Sequence, residues 1–270
     1  MKLRTLLATL MTVIAVLFTS SANATTIGVN FIGGRTQPNG DAVGTNGADA
    51  VNPGTATGAV PTLNWNNLAG ANSAAPVAVV DEFGNGGYTV AHTVTNSFAA
   101  TATSPGGGGN AAMMSGYLDN MQGRSITVTG LGSDFTLYGY SVIVYFNSDS
   151  TGLGTQGFSA ADNQGNTDVA FGQDAGGAAG NNFPLGGPNG FILSTASTSA
   201  SATLSNAVLL EGFFGSVLTI TGEAGSGNNR PRPNGFQIVG NPVIPEPSSI
   251  ALVGMAALGL ARRRRQQRAA

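Results

Sequence analysis

Apolar and polar residues alternate along six short stretches of this 270-residue chain. Because successive side chains of a β-strand point to opposite faces, a period of two predicts a half-buried strand. The stretches are 26–31, 88–95, 125–131, 138–148, 215–222 and 234–240. Residues 140–146 are apolar on both faces, which predicts a central strand that is covered on both sides.

Clusters of glycine, asparagine, aspartate and proline separate these strands and predict turns, with long loops at 36–58, 104–112 and 173–190. Only residues 111–121 carry a helical pattern, and no fixed-period repeat indicates a solenoid. Many short strands with turn signals between them favour an all-β fold of two packed sheets. We expect a jelly-roll-like sandwich, in which the last strand, 236–239, closes against the first.

The N-terminus has the layout of a secretory signal peptide. Two basic residues precede an apolar run at 6–18, and Ala22, Asn23 and Ala24 then form an A-x-A cleavage site. A retained anchor is the alternative, but the apolar run is short for a membrane span. We therefore expect signal peptidase to cleave after Ala24, so that residues 1–24 are removed and the protein is exported.

The C-terminus combines three features in order. Pro245, Glu246 and Pro247 precede an apolar run at 250–261, and four arginines follow at 262–265. Twelve helical residues span about 18 Å, which is short of the ~30 Å hydrocarbon core of a bilayer. The arginines are expected to stay on the cytoplasmic side, which makes the run a marginal and transient anchor with the body outside.

This tail, residues 244–270, resembles the PEP-CTERM sorting signal, which is also catalogued as an ice-binding-protein C-terminal domain without implying ice binding. The resemblance implies a Gram-negative-type bacterium and processing by an exosortase near the Pro-Glu-Pro. It further implies release to the cell surface or extracellular matrix, often together with exopolysaccharide.

The segments IGVNFIGG, GAVPTLNWNNLAG, MMSGYLD, ITVTGL and NGFQIV also resemble a recurring body of secreted, planctomycete-type PEP-CTERM proteins. That body is similar to galactose-binding-like and malectin-like sandwiches. The resemblance spans most of residues 26–240 and carries no binding residue over to this chain. It implies one β-sandwich domain at 25–243.

Composition excludes several classes of function. Residues 25–243 contain four arginines, no lysine and twelve acidic residues, a net charge of about −8, which disfavours nucleic-acid binding. The chain has no cysteine and a single histidine, His92, too few nitrogen and sulfur ligands for a zinc site. We expect His92 to lie on a sheet face, because it is in register with Val90 and Val94. No cofactor is expected, apart from calcium as a candidate.

The stretch DNQGNTD is the calcium candidate. Asp162, Gln164, Asn166 and Asp168 alternate oxygen-bearing side chains, which hard cations prefer. The glycine is misplaced for an EF-hand, and no glutamate occupies the twelfth position. The favoured alternative is a polar β-turn between two strands, and Asp81 with Glu82 forms a second, weaker calcium candidate.

The lone tryptophan, Trp65, is the glycan candidate. Its ring could stack on a sugar while Asn64 and Asn66 bind hydroxyl groups. The favoured alternative is that the ring is buried and plugs one end of the sandwich.

Three functional hypotheses follow. The leading one is a non-enzymatic protein of the cell surface or matrix, with glycan contact as a candidate activity. The second is a glycan-active enzyme that pairs Asp81 or Glu82 with Glu211, which requires both carboxyl groups to face one cleft. The third is a purely structural or adhesive coat component.

Overall fold

The computed structural model describes residues 24–33, 50–69, 75–94, 96–99, 109–147, 154–174, 188–225 and 230–241. In these ranges the chain forms fourteen strands and two one-turn helices, α1 (Asn110–Met113) and α2 (Ser133–Thr136). The strands are β1 (Thr26–Ile32), β2 (Asn66–Ala69), β3 (Val77–Val79), β4 (Tyr88–His92), β5 (Asn96–Ala99), β6 (Gly116–Asp119), β7 (Ser125–Thr129), β8 (Tyr140–Phe146), β9 (Gly154–Asp162), β10 (Thr167–Asp174), β11 (Leu193–Ser194), β12 (Ala207–Phe213), β13 (Val217–Glu223) and β14 (Pro233–Gly240).

Twelve strands form two six-stranded sheets. Sheet I has the order β11-β12-β8-β14-β1-β2, and sheet II has the order β10-β9-β13-β7-β4-β3. β5 and β6 form a separate two-stranded antiparallel sheet. The main hydrophobic core draws its buried side chains from both sheets, which confirms the expected all-β sandwich. β14 pairs antiparallel with β1, which confirms the predicted closure of the last strand against the first.

β8 is covered on both faces, as its sequence predicts. One face of β8 contributes to the main core through Tyr140, Val142, Val144 and Phe146. The other face contributes Ile143 and Tyr145 to a second core. The second core lies on the outer face of sheet I. It contains the buried residues Val51, Trp65, Met113, Met114, Ile143, Tyr145, Phe191 and Ala207. Residues 50–65 therefore cover the sheet rather than forming an open loop.

Only the first residues of the helical pattern at 111–121 form a helix. α1 ends at Met113, and the chain enters β6 at Gly116. An isolated helical turn gains little from hydrogen bonding, so pairing of this segment with β5 prevails. Asn120 has a positive φ of 59°, which also ends any regular structure at that point.

The strands place their connecting turns at two ends of the sandwich. One, called the loop end here, contains the turns 81–87, 137–139, 162–166 and 213–216. Hydrogen bonds connect these turns to one another and to the start of β1, among them Glu82 N to Thr26 O and Asn241 N to Gly139 O. The opposite end, called the arginine end, contains the starts of β7 and β14, which follow Arg124 and Arg232.

Candidate functional site

Two turns at the loop end have the same sequence pattern, D-x-x-G-N, and the same structure. Residues 81–85 connect β3 to β4, and residues 162–166 connect β9 to β10. In each turn the aspartate N–H donates to the asparagine carbonyl, at 2.9 Å in the first and 3.0 Å in the second. The glycines, Gly84 and Gly165, have positive φ values of 83° and 91°. Glycine suits this position because it adopts positive φ without steric cost.

Both aspartates organise their own turn. In the first turn, Asp81 accepts hydrogen bonds from the backbone of Phe83 and Asn85 and from the Asn85 side chain. In the second, Asp162 accepts the equivalent bonds from the backbone of Gln164 and Asn166 and from the Asn166 side chain. Each carboxylate thus uses both oxygens to satisfy the turn.

Asp162 makes two further bonds that Asp81 lacks. Its Oδ2 accepts the backbone N–H groups of Phe214 and Gly215, each at 2.8 Å, and so joins two turns of the loop end. Burial raises the pKa of Asp162, but the hydrogen bonds from Asn166, Phe214 and Gly215 outweigh burial and lower that pKa well below its usual range. Asp162 is therefore ionised over the physiological pH range.

The four predicted calcium ligands do not direct free oxygens to one point. Asp162 and Asn166 bond to each other, and Gln164 donates through Nε2 to the Phe214 carbonyl at 3.1 Å. Asp168 lies on β10, where its Oδ2 accepts the Glu211 N–H at 2.9 Å. No group of three His, Cys, Asp or Glu side chains suited to a metal ion occurs among the described residues. Residues 162–166 form the polar turn between β9 and β10 that was the favoured alternative, and calcium binding stays a prediction.

Trp65 is buried in the second core. Its side chain is 3% exposed, and Nε1 donates to the Thr57 carbonyl at 3.1 Å. The ring lies flat on β1 at Gly28, where a Cβ atom would come within 2.7 Å of Cδ2. The indole therefore presents no face on which a sugar could stack, and it fills the space between sheet I and residues 50–65.

The neighbouring amides are also engaged in the fold. Asn64 has a positive φ of 53° and donates to the Glu82 carbonyl at 2.7 Å. Asn66 bonds to the carbonyls of Gly28 and Val80 and to the N–H of Val80, and so connects the edges of the two sheets. The three residues predicted to contact a glycan, Asn64, Trp65 and Asn66, thus all bond to the backbone of the fold.

The predicted carboxylate pair is not brought together. Glu82 lies beside the β1–β2 edge, where Oε2 accepts the Thr62 hydroxyl at 3.1 Å, and burial raises its pKa. Both carboxylate oxygens of Asp81 accept hydrogen bonds within its own turn. Glu211 lies on β12, next to β10 and Asp168 at the opposite edge of the sandwich.

His92 lies on β4 and points into the main core. It is 2% exposed and packs edge-on against Phe31, with ring centroids 5.9 Å apart. Burial lowers the pKa of His92, and neither ring nitrogen has a hydrogen-bond partner among the described residues. The side chain is thus neutral and internal at neutral pH.

The loop end carries a set of exposed side chains that sequence reasoning missed. Among the described residues, the three exposed aromatics, Phe83, Tyr138 and Phe214, all lie there, at 61%, 45% and 40% exposure. Leu63 and Leu137 lie beside them and are also exposed. We call these five residues the aromatic row. The sequence signal was weak, because these residues are few and mostly far apart in the chain, and Tyr138 was assigned to the strand at 138–148, which begins only at Tyr140.

The aromatic row consists of two groups: Phe214, Leu137 and Tyr138 lie beside the adjacent strands β12 and β8, and Leu63 and Phe83 lie beside β2 and β4, with β14 and β1 between the groups. Phe214 follows β12 and its ring packs on Gly139, where a Cβ atom would come within 2.8 Å of Cε1. Tyr138 precedes β8, and its carbonyl accepts the Asn241 side chain at 3.0 Å. At the far end of the row, Leu63 precedes β2. From β12 to β2 there are four inter-strand steps of about 4.8 Å, so the row extends over roughly 19 Å.

Charge is unevenly distributed between the two ends. The loop end has six carboxylates and no cation among its described residues; the six are Asp81, Glu82, Asp134, Asp162, Asp168 and Glu211. The arginine end contains Arg124, Arg230 and Arg232, of which the last two contact Asp119 at 3.1 and 3.4 Å. The loop end is therefore unsuited to an anionic partner.

The comparison with family models concerns the tail. Residues 243–265 match the PEP-CTERM protein-sorting motif. The motif indicates an exported, exosortase-sorted protein of the cell surface, which confirms that part of the sequence analysis. Searches of curated proteins and of solved structures returned no match. The galactose-binding-like type of the body stays a prediction.

The processing residues lie mostly outside the described ranges. Ala22, Pro245, Glu246 and Pro247 are not among the described residues, whereas Ala24 is the first of them. Among the described residues, no helix has both the length and the apolar character needed to cross a bilayer.

Proposed function

We propose that this chain is a non-enzymatic surface module that contacts glycans outside the cell. Signal peptidase removes residues 1–24, the run at 250–261 anchors the body transiently, and the exosortase cleaves near Pro245–Pro247. The observation that supports glycan contact is the confinement of the exposed aromatics to the loop end. Exposed aromatic rings stack on the apolar faces of sugars, whereas most large aromatics of a folded body are buried.

The separation of Glu211 from Asp81 and Glu82 supports a binding role over hydrolysis. Glycosidases that use two carboxyl groups hold them about 5–10 Å apart across one cleft. These side chains lie at opposite edges of the sandwich instead.

The test uses the full-length chain, purified in mild detergent, on a panel of immobilised polysaccharides. We expect at least one polysaccharide to retain the protein without release of new reducing ends. Retention together with new reducing ends would favour the enzyme hypothesis. No retention on any polysaccharide would favour a purely structural coat component.

A further inference from the structure

We propose that the aromatic row is the glycan-binding surface and that it takes a neutral, extended polysaccharide chain. This inference rests on the proposed function and adds the site and the chemical class of the ligand. Trp65, the residue that the sequence singled out for this role, is excluded by its burial.

The rings provide the stacking surface. Tyr138 and Phe214 are adjacent, because the Phe214 ring packs on Gly139, the next residue after Tyr138. Gly139 has a φ of 82°, and a larger residue there would displace the ring as well as strain the backbone. The fold therefore fixes the Phe214 ring against the backbone that follows Tyr138, which lowers the entropy this ring loses on binding.

Exposed polar side chains surround the rings. Gln164 and Asn241 are both exposed, and each donates a hydrogen bond to a backbone carbonyl of the pair, Phe214 O and Tyr138 O respectively. These bonds fix the amides beside the rings. An apolar surface with a few positioned polar groups is the usual composition of a carbohydrate-binding surface, where the amides contact hydroxyl groups.

The length of the row favours a chain over a single sugar. The strands that carry its two ends, β12 near Phe214 and β2 near Leu63, are roughly 19 Å apart, with β14 and β1 between them. A single sugar would cover only the Tyr138–Phe214 pair. A chain that lies across the strand ends contacts both groups at once and gains avidity from them.

Charge favours a neutral ligand. The loop end has no cation among its described residues, so phosphate, sulfate and uronate groups would be repelled. Four of the six carboxylates, Asp81, Glu82, Asp162 and Asp168, accept hydrogen bonds within the fold, which leaves Asp134 and Glu211 as the exposed carboxylates that a cationic ligand could contact. The rings and amides are left as the main recognition groups.

The test measures retardation of the full-length chain during electrophoresis through gels that contain a neutral β-glucan, alginate or chitosan. We expect retardation by the neutral glucan, with little change when salt is raised to screen charges. The double variant Tyr138→Ala/Phe214→Ala should raise the dissociation constant at least about tenfold. The matched control is Leu193→Ala/Leu204→Ala, which removes two side chains of 39% and 44% exposure away from the loop end and should bind as wild type does.

Three results would contradict all or part of the proposal. If the double variant binds the glucan as wild type does, the row is not the site, while the proposed function stands. Binding to chitosan or alginate alone, lost at high salt, would overturn the neutral-ligand inference but not glycan contact. If wild type binds none of the three, both proposals fail. Should the double variant fail to melt cooperatively, Tyr138→Ser alone replaces it, because that side chain is 45% exposed and its removal opens no core cavity.

Discussion

The paired turns allow the contribution of Asp162 to be measured against an internal control. Asp81 and Asp162 make the same three bonds within their own turns, and Asp162 alone also accepts the N–H groups of Phe214 and Gly215. We predict that Asp162→Ala destabilises the protein more than Asp81→Ala does. Burial alone predicts the opposite order, because Asp81 is 1% exposed and Asp162 is 8% exposed.

The magnitude follows from the two extra bonds. A hydrogen bond to a charged acceptor contributes about 1.5–3 kcal/mol to the free energy of unfolding. The two donors are adjacent and share one oxygen, so their contributions overlap, and we expect a difference of about 2–4 kcal/mol between the variants. For a domain of this size, each kcal/mol lowers Tm by roughly 2–4 °C. Asp162→Ala should therefore melt about 4–16 °C below Asp81→Ala.

The assay is thermal and urea unfolding of the full-length wild type and both variants, followed by circular dichroism at neutral pH. A second measurement follows the stability of the same proteins as pH is lowered. Because the folded-state pKa of Asp162 is lowered, its contribution is present at neutral pH and is lost as pH falls below about 4. Wild type should thus lose more stability than Asp162→Ala on acidification below pH 4. An equal or larger loss in Asp81→Ala at neutral pH would refute the assignment of a tertiary role to Asp162.

Three further predictions follow from buried groups and from the calcium candidate. The single tryptophan, Trp65, should show a blue-shifted emission that acrylamide quenches weakly and the bound glucan leaves unchanged; a large change on glucan addition would place the ligand at the indole instead. The folded-state pKa of His92 is lowered, so the urea midpoint of wild type should fall as pH drops below about 6.5, and His92→Phe should weaken this dependence; an unchanged slope would exclude His92 as its cause. Because the oxygens of Asp162 and Asp168 already accept hydrogen bonds, millimolar calcium should leave Tm unchanged; a rise in wild type that Asp168→Ala abolishes would establish the calcium site.

The sequence predicted the parts of the fold that depend on local periodicity. β1, β8 and β14 have a clear apolar pattern, and the pairing of β14 with β1 was predicted from their places as last and first strand. The hairpin turn at 162–166 was also predicted, because aspartate, glycine and asparagine favour such turns.

The parts that escaped prediction depend on contacts between distant residues. The burial of Trp65 was the favoured interpretation, but its contact with Gly28 on the outer face of sheet I was not predicted, because nothing near either residue in the sequence connects them. Similarly, Gly157 leaves room for Phe171 on the paired strand, where a Cβ atom would come within 2.3 Å of the ring. The aromatic row was missed for the same reason, because its members come from four separate turns that only the sandwich brings to one end.

The central claim is that the body is exported and displayed after both ends have been processed. Intact-mass spectrometry of the protein recovered from the surface and medium of an exosortase-containing bacterium tests it most directly. The recovered chain should begin at Thr25 and lack the arginines at 262–265. A chain confined to the cytoplasm that begins at Met1 and retains those arginines would contradict it.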